Sequence, residues 1–126
     1  MASQSYWFYT GLPDKVIDAT DKAVSPGFIN MLSWAYNSLM DDGRSLSDLK
    51  QGVTLEVFGE GTSPGPSGNI KDNSYVSFGE AMQKLEDNGV SPNIASYLGA
   101  ATVRIQEIGY ANRKATDEEM ESMRRL

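Results

Sequence analysis

Three short apolar runs divide the chain, and polar segments with helical spacing separate them. The runs cover residues 28–32, 53–58 and 93–98, and we interpret each as a β-strand. Residues 28–32 are apolar at every position except Asn30, which predicts a strand buried on both faces. The resulting order of alternating strands and helices is typical of parallel α/β units.

Two capping boxes mark the clearest helices. Ser77 and Glu80 have the required spacing, and they predict a helix that ends near Gly89. Its apolar face repeats at helical spacing and consists of Phe78, Ala81, Met82 and Leu85. Thr116 and Glu119 predict a second capping box, whose helix should run to the end of the chain. Residues 100–108 predict a further short helix between them.

A short helix is also expected after residue 44. Ser45 is the predicted N-cap, Asp48 stands three residues later, and Leu46 and Leu49 should face inward. Residues 36–43 before it are interpreted as a loop. Residues 59–75 contain four glycines and two prolines, and we interpret them as a long loop of the kind that is usually functional or mobile.

Composition and charge exclude several classes of function. The net charge of −6 argues against a nucleic-acid partner. Histidine and cysteine are absent, so Ser-His-Asp catalysis, Cys-His catalysis and zinc sites built from these residues are excluded. No apolar run approaches the roughly 18 to 20 residues that a membrane span requires. We therefore expect a cytoplasmic protein that contacts neither membrane nor nucleic acid.

Several segments resemble one known family. Residues 24–34 read V-S-P-G-F-I-N-M-L-S-W and resemble the first barrel strand of the amidohydrolase superfamily, where P-G-F-I-D leads into a metal-binding His-x-His. Q-G-V-T-L-E-V-F-G-E-G at residues 51–61 and S-P-N-I-A-S-Y-L-G-A-A-T-V-R at residues 91–104 resemble the second and third strands of the N-acyl-D-amino-acid deacylases. The resemblance implies a hydrolase of N-acylated D-amino acids that uses zinc at the carboxyl end of a barrel.

The residues that should bind the metal in this family are replaced. Leu32 and Trp34 stand at the two histidine positions, Gly61 at the position of a cysteine ligand, and Ala100 at that of a further histidine. Zinc therefore belongs to the parent family, and this chain alone cannot support it. Either a divergent branch keeps another metal position on later strands, or the site has decayed.

The length of the chain predicts that it is part of a larger enzyme. A complete (β/α) barrel takes about 250 residues and eight strands, whereas this chain has 126 residues and three predicted barrel strands. The resemblance divides it into residues 1–25, a remnant of the small β domain and a short β-rich leader with strands at residues 15–18 and 23–25, and residues 26–126, the first three βα units of a TIM-type barrel.

Three side chains are candidates for substrate binding, and no residue is assigned to catalysis or as a metal ligand. Trp34 could line the substrate pocket or pack in the core. Glu60 follows the second strand, where it could contact a metal or substrate or remain a solvated carboxylate. Arg104 could hold a substrate carboxylate through two hydrogen bonds or form a structural salt bridge.

Two functional hypotheses remain open. The chain is the N-terminal part of an N-acyl-D-amino-acid deacylase and is inactive alone, or it is a non-catalytic binding protein derived from this fold.

Under both hypotheses, the face of the three strands that would fill the interior of a complete barrel has nothing opposite it. It includes some of Phe28, Met31, Val53, Leu55, Val57, Ile94 and Tyr97. We therefore expect self-association.

Overall fold

Three parallel strands form the centre of the fold. The computed structural model describes residues 16–69 and 73–126. In it β1 (Phe28–Asn30), β2 (Val53–Phe58) and β3 (Asn93–Ser96) lie in the order β1-β2-β3, and both pairings are parallel. This confirms the predicted strand order and direction, although β1 and β3 each end two residues before the predicted limit.

Five helices connect and follow the strands in the described residues. They are α1 (Tyr36–Asp41), α2 (Leu46–Lys50), α3 (Phe78–Asn88), α4 (Ala100–Ile108) and α5 (Asp117–Met123). Both predicted capping boxes are present, with Ser77 accepting from the Glu80 N–H and Thr116 accepting from the Glu119 N–H. The last helix ends at Met123 rather than at the chain end.

The prediction of a loop at residues 36–43 is wrong, because α1 occupies most of it. This helix has no side-chain cap, so the local sequence gives little sign of it. Its stability comes from tertiary packing instead: Leu39 is 2% exposed and packs with Phe58 of β2 and Leu85 of α3. The Tyr36 hydroxyl also donates to the carbonyl of Ala81, 3.2 Å away.

The helix predicted after residue 44 is present as α2, but its expected orientation is wrong. Leu46 and Leu49 are exposed, and polar side chains face the sheet in their place. The Asn30 amide of β1 contacts Asp48 at 3.4 Å, and the Ser45 hydroxyl reaches β2. Ser45 adopts a left-handed backbone conformation (φ 46°, ψ 45°) and forms no capping hydrogen bond with α2.

The first strand is also less buried than predicted. Phe28 and Ile29 are both more than half exposed, and Ile29 reaches 54%. The physical reason is the position of β1 at the edge of the sheet, where β2 is its single neighbour among the described strands. Within the described residues, nothing covers the face of β1 that a complete barrel would enclose.

The described part of the leader contains no strand. Residues 16–27 form no sheet pairing there, so the predicted β-rich character is wrong for this segment, which has no partner strand among the described residues. Residues 19–22 form a turn, with the Lys22 N–H donating to the Ala19 carbonyl. Residues 1–15 lie outside the described part, and the domain limit at residue 25 stays a prediction.

Candidate functional site

The chain beyond β1 continues along β2 and forms one wall of the candidate site. The Ser33 N–H donates to the Val57 carbonyl at 2.9 Å, which keeps this segment beside β2 after the bend that follows Asn30. Ser33 is 7% exposed, whereas Leu32 and Trp34 on either side are 55% and 69% exposed. Exposure alternates at these three positions although β1 has already ended at Asn30, so Leu32 and Trp34 face solvent while Ser33 faces the buried Glu56.

A buried carboxylate lies beside Ser33. Glu56, in the middle of β2, has 0% exposure. One of its carboxylate oxygens accepts a hydrogen bond from the Ser33 hydroxyl at 2.6 Å, and the other accepts from the Ser45 hydroxyl at 2.7 Å. The carboxylate therefore links the end of β1, the middle of β2 and the start of α2.

These two hydroxyls compensate for the burial of Glu56. A buried ionised carboxylate costs much free energy unless hydrogen bonds replace its lost water. Among the described residues, no cation forms an ion pair with Glu56. Short hydrogen bonds to a charged acceptor are stronger than neutral ones, so the two serines are the main stabilising partners of this group.

Sequence reasoning missed Glu56, although a usable signal was present. Alternate residues of a strand face the same side of the sheet, so Glu56 shares a face with Phe58. Phe58 is apolar and belongs to the buried core. An acidic residue two positions before a core phenylalanine, on a central strand, is therefore predicted to be buried and to need hydrogen-bond donors.

A cavity of about 450 Å³ opens beside this network. Its walls come from the segment after β1, the loop after β2, and α3. The residues whose side chains matter for its chemistry are Ser33, Trp34, Asn37, Thr62, Ser67 and Lys84. The volume is within the range of small-molecule sites, about 300 to 1,000 Å³.

Hydrogen bonds fix the loop that lines this cavity. The Ser63 N–H donates to the Thr102 hydroxyl at 2.8 Å, and the Ser63 hydroxyl donates to the Gly65 carbonyl at 2.6 Å. The Gly99 N–H also donates to the Ser63 hydroxyl, at 3.0 Å. A side chain at Gly99 would meet the Gly61 carbonyl at 2.6 Å, so glycine is required for this close approach. The cavity wall is therefore tied to the start of α4.

Of the three predicted substrate-binding residues, Trp34 alone lines this cavity. Glu60 lies in an exposed bend just past β2, where its backbone carbonyl accepts the N–H of Thr62 at 3.0 Å. Arg104 lies on α4 and donates to the carbonyls of Ala111 and Arg113, at 2.9 and 2.7 Å. It thereby holds the segment between α4 and α5. The substrate-binding roles of all three residues stay predictions.

The side chains at this edge of the sheet do not fit a metal ion. Leu32 and Trp34 offer no ligand atom suited to zinc. In residues 16–69 and 73–126, no three histidine, cysteine, aspartate or glutamate side chains lie close enough together to hold a metal. Both carboxylate oxygens of Glu56 are already occupied by serine hydroxyls.

The architecture has clear counterparts among solved structures. No protein-family model matches the sequence, and no curated protein matches it. Three solved structures match with TM-scores of 0.64, 0.64 and 0.63, each with 24% identity over 80% of this chain. All three belong to one class, the amidohydrolases, so the chain has part of an amidohydrolase fold.

The particular protein in these structures is D-aminoacylase. The first is described as defining a novel subset of amidohydrolases, the second is an aspartate-to-alanine variant with copper chloride, and the third concerns a binuclear metal centre. This chain spans 24% of the length of each. The comparison confirms the predicted resemblance at the level of fold. In the described part of the chain, no helix has the length and apolarity needed to cross a membrane.

Proposed function

We propose that the chain supplies the first three βα units of a TIM-type (β/α) barrel in a D-aminoacylase-like amidohydrolase. The observation that carries this proposal is the parallel β1-β2-β3 sheet, which is part of a structural match to D-aminoacylase that covers 80% of this chain. The sequence segments that resemble the first three barrel strands of the family lie at β1, β2 and β3. Agreement between the sequence order and the strand order supports the assignment.

The reaction proposed for the complete enzyme is hydrolysis of the amide bond of N-acyl-D-amino acids. The chain alone does not perform it. Metal-assisted amide hydrolysis requires ligands for the metal and a group that moves the proton. The chain has no histidine or cysteine, and the described residues form no metal-binding group.

An acylase assay tests this proposal. The purified chain is incubated with N-acetyl-D-amino acids with and without added zinc, beside an active D-aminoacylase as positive control. We expect no turnover above the rate without protein, and no stoichiometric zinc binding by calorimetry. Zinc-dependent turnover by the chain would refute the claim that its catalytic set is incomplete.

A second candidate function is non-catalytic binding of a small molecule. The cavity of about 450 Å³ favours it, because the cavity is bounded by hydrogen-bonded elements and lies beside the replaced ligand positions. In this function, Trp34 presents an indole where the family has a histidine. Glu60 and Arg104, the other two predicted substrate-binding residues, do not line this cavity. Their proposed role in substrate binding applies to the complete enzyme.

A further inference from the structure

Four polar side chains that line the cavity form no side-chain hydrogen bond or ion pair in the described residues. The Lys84 ammonium forms no hydrogen bond or ion pair within residues 16–69 and 73–126. The Thr62 and Ser67 hydroxyls and the Asn37 amide are likewise unengaged in this part of the chain. The cavity therefore presents one cation and three neutral hydrogen-bonding groups.

Other polar groups at the cavity are committed to the fold. Ser33 donates to Glu56, Tyr36 donates to the Ala81 carbonyl, and the Ser63 hydroxyl contacts Gly65 and Gly99. These contacts hold the walls in place. The unengaged groups can therefore accept a ligand without breaking a hydrogen bond that stabilises the structure.

The arrangement of charge limits the kind of ligand. Lys84 is the charged residue that lines this cavity. Glu80, four positions earlier on α3, accepts a 2.8 Å hydrogen bond from the Ser77 N–H, and its pKa is lowered chiefly by that bond and to a smaller degree by the charge of Lys84. One ammonium can neutralise a single negative charge. A dianion such as phosphate would retain an excess charge in a chain whose net charge is already −6.

We propose that this cavity binds a small organic monocarboxylate with a flat apolar body. The carboxylate is held by the Lys84 ammonium and by hydrogen bonds from the Thr62 and Ser67 hydroxyls. The apolar body lies against the indole of Trp34, which is 69% exposed and so open to stacking. This inference deepens the binding candidate and does not depend on amide hydrolysis, so failure of the acylase proposal leaves it intact.

Fluorescence titration with sodium benzoate tests the site. Trp7, which lies outside the described residues, is replaced by phenylalanine so that Trp34 is the reporter. We expect benzoate to quench Trp34 in a saturable way, whereas benzamide, which has the same shape without the charge, binds at least about tenfold more weakly. Equal binding of benzoate and benzamide would overturn the proposal.

Variants of the cavity separate the ammonium contact from a general effect of charge. Lys84→Met should weaken benzoate binding at least about tenfold, and Lys84→Arg should keep it within about threefold, since both lysine and arginine bind carboxylates. Lys50→Met, at the end of α2 and outside the cavity, is the matched control and should bind normally. Equal effects of Lys84→Met and Lys50→Met would refute the site. Circular dichroism confirms that each variant is folded before its titration is interpreted.

Discussion

The Ser33 hydroxyl donates a 2.6 Å hydrogen bond to the fully buried carboxylate of Glu56. Ser33 lies between Leu32 and Trp34, the two positions at which the sequence resemblance predicts histidines in the family, and this contact holds the residue between them in place. The segment is therefore fixed by a serine–carboxylate contact on the side opposite to the one where the family resemblance would place a metal. Ser45 completes the arrangement from α2 at 2.7 Å.

The first prediction concerns this network. Ser33→Ala and Ser45→Ala should each lower the free energy of unfolding by about 1–3 kcal/mol, because each leaves a buried carboxylate with one donor fewer. Urea unfolding at a single fixed protein concentration measures the change. Ser47→Ala is the control, since its hydroxyl contacts Asp48 at an exposed position, and it should change the free energy by less than about 0.5 kcal/mol. Equal effects at Ser33 and Ser47 would show that Glu56 does not need its donors.

The second prediction concerns the acid sensitivity of α5. The Arg113 guanidinium donates hydrogen bonds of 2.7 and 2.6 Å to Glu119, and the Thr116 N–H adds another. Chiefly because of Arg113, the pKa of Glu119 is lowered from its ordinary value of 4.5 to about 2. Because the pKa of Glu119 is lower in the folded than in the unfolded state, its ionised carboxylate stabilises the fold at pH values above about 4.5. That contribution is lost as the pH falls from about 4.5 to about 2.

An NMR titration of the Glu119 side-chain carboxyl carbon measures this directly. The unmodified chain should titrate near the low value, and Arg113→Gln should move the pKa up toward the ordinary one. Arg124→Gln is the control, because Arg124 pairs with Glu121 at 3.3 Å. A Glu119 pKa that is the same with and without Arg113 would contradict the assigned cause.

Elements with local signals could be predicted from the sequence. The limits of β2 and α4 follow from apolar runs bounded by glycines, and both capping boxes follow from residues three positions apart. The strand order followed from the βα alternation and the family resemblance. In these places the local preference agrees with the tertiary structure.

Elements that depend on distant contacts could not be predicted in this way. Helix α1 exists because Leu39 packs on Phe58 and Leu85, which are 19 and 46 positions further along the chain. Ser45 matches a local capping pattern, yet its hydroxyl bonds Glu56 on another element. Strand β1 was expected to be buried because the apolar run was interpreted in a complete barrel, and the described residues do not cover it.

The third prediction tests whether residues 32 and 34 occupy the positions of the His-x-His pair. Both side chains are exposed on either side of the buried Ser33, so Leu32→His with Trp34→His should place two imidazoles on the solvent side of this segment. The double variant should bind zinc at least about tenfold more tightly than either single variant, as two ligands replace one. Calorimetric titration measures the affinity.

A second pair controls for histidine content. Met31→His with Trp34→His has the same number of imidazoles, but they are three positions apart rather than two as in the family motif. This pair should bind no better than a single variant. If both pairs bind zinc with equal affinity, residues 32 and 34 do not occupy the positions of the His-x-His pair.

The last prediction is that the chain self-associates through the open face of its sheet. Ile29 and Leu32 on the side of β1 and Tyr97 just beyond β3 are all more than half exposed, and both outer strands of the described sheet have a free edge. Contiguous exposed apolar surface and unpaired strand edges favour association between copies. Sedimentation velocity over a range of concentrations should therefore show species larger than the monomer.

Substitutions on the same face identify the surface responsible. Ile29→Lys and Tyr97→Lys should each shift the distribution toward monomer, because a charge opposes burial of that face in a contact between copies. Tyr110→Lys is the matched control: Tyr110 is 90% exposed, but it lies after α4 and away from the strands. It should leave the distribution unchanged. A chain that remains a monodisperse, cooperatively melting monomer would refute self-association. Equal effects of Tyr97→Lys and Tyr110→Lys would show that association does not use the sheet.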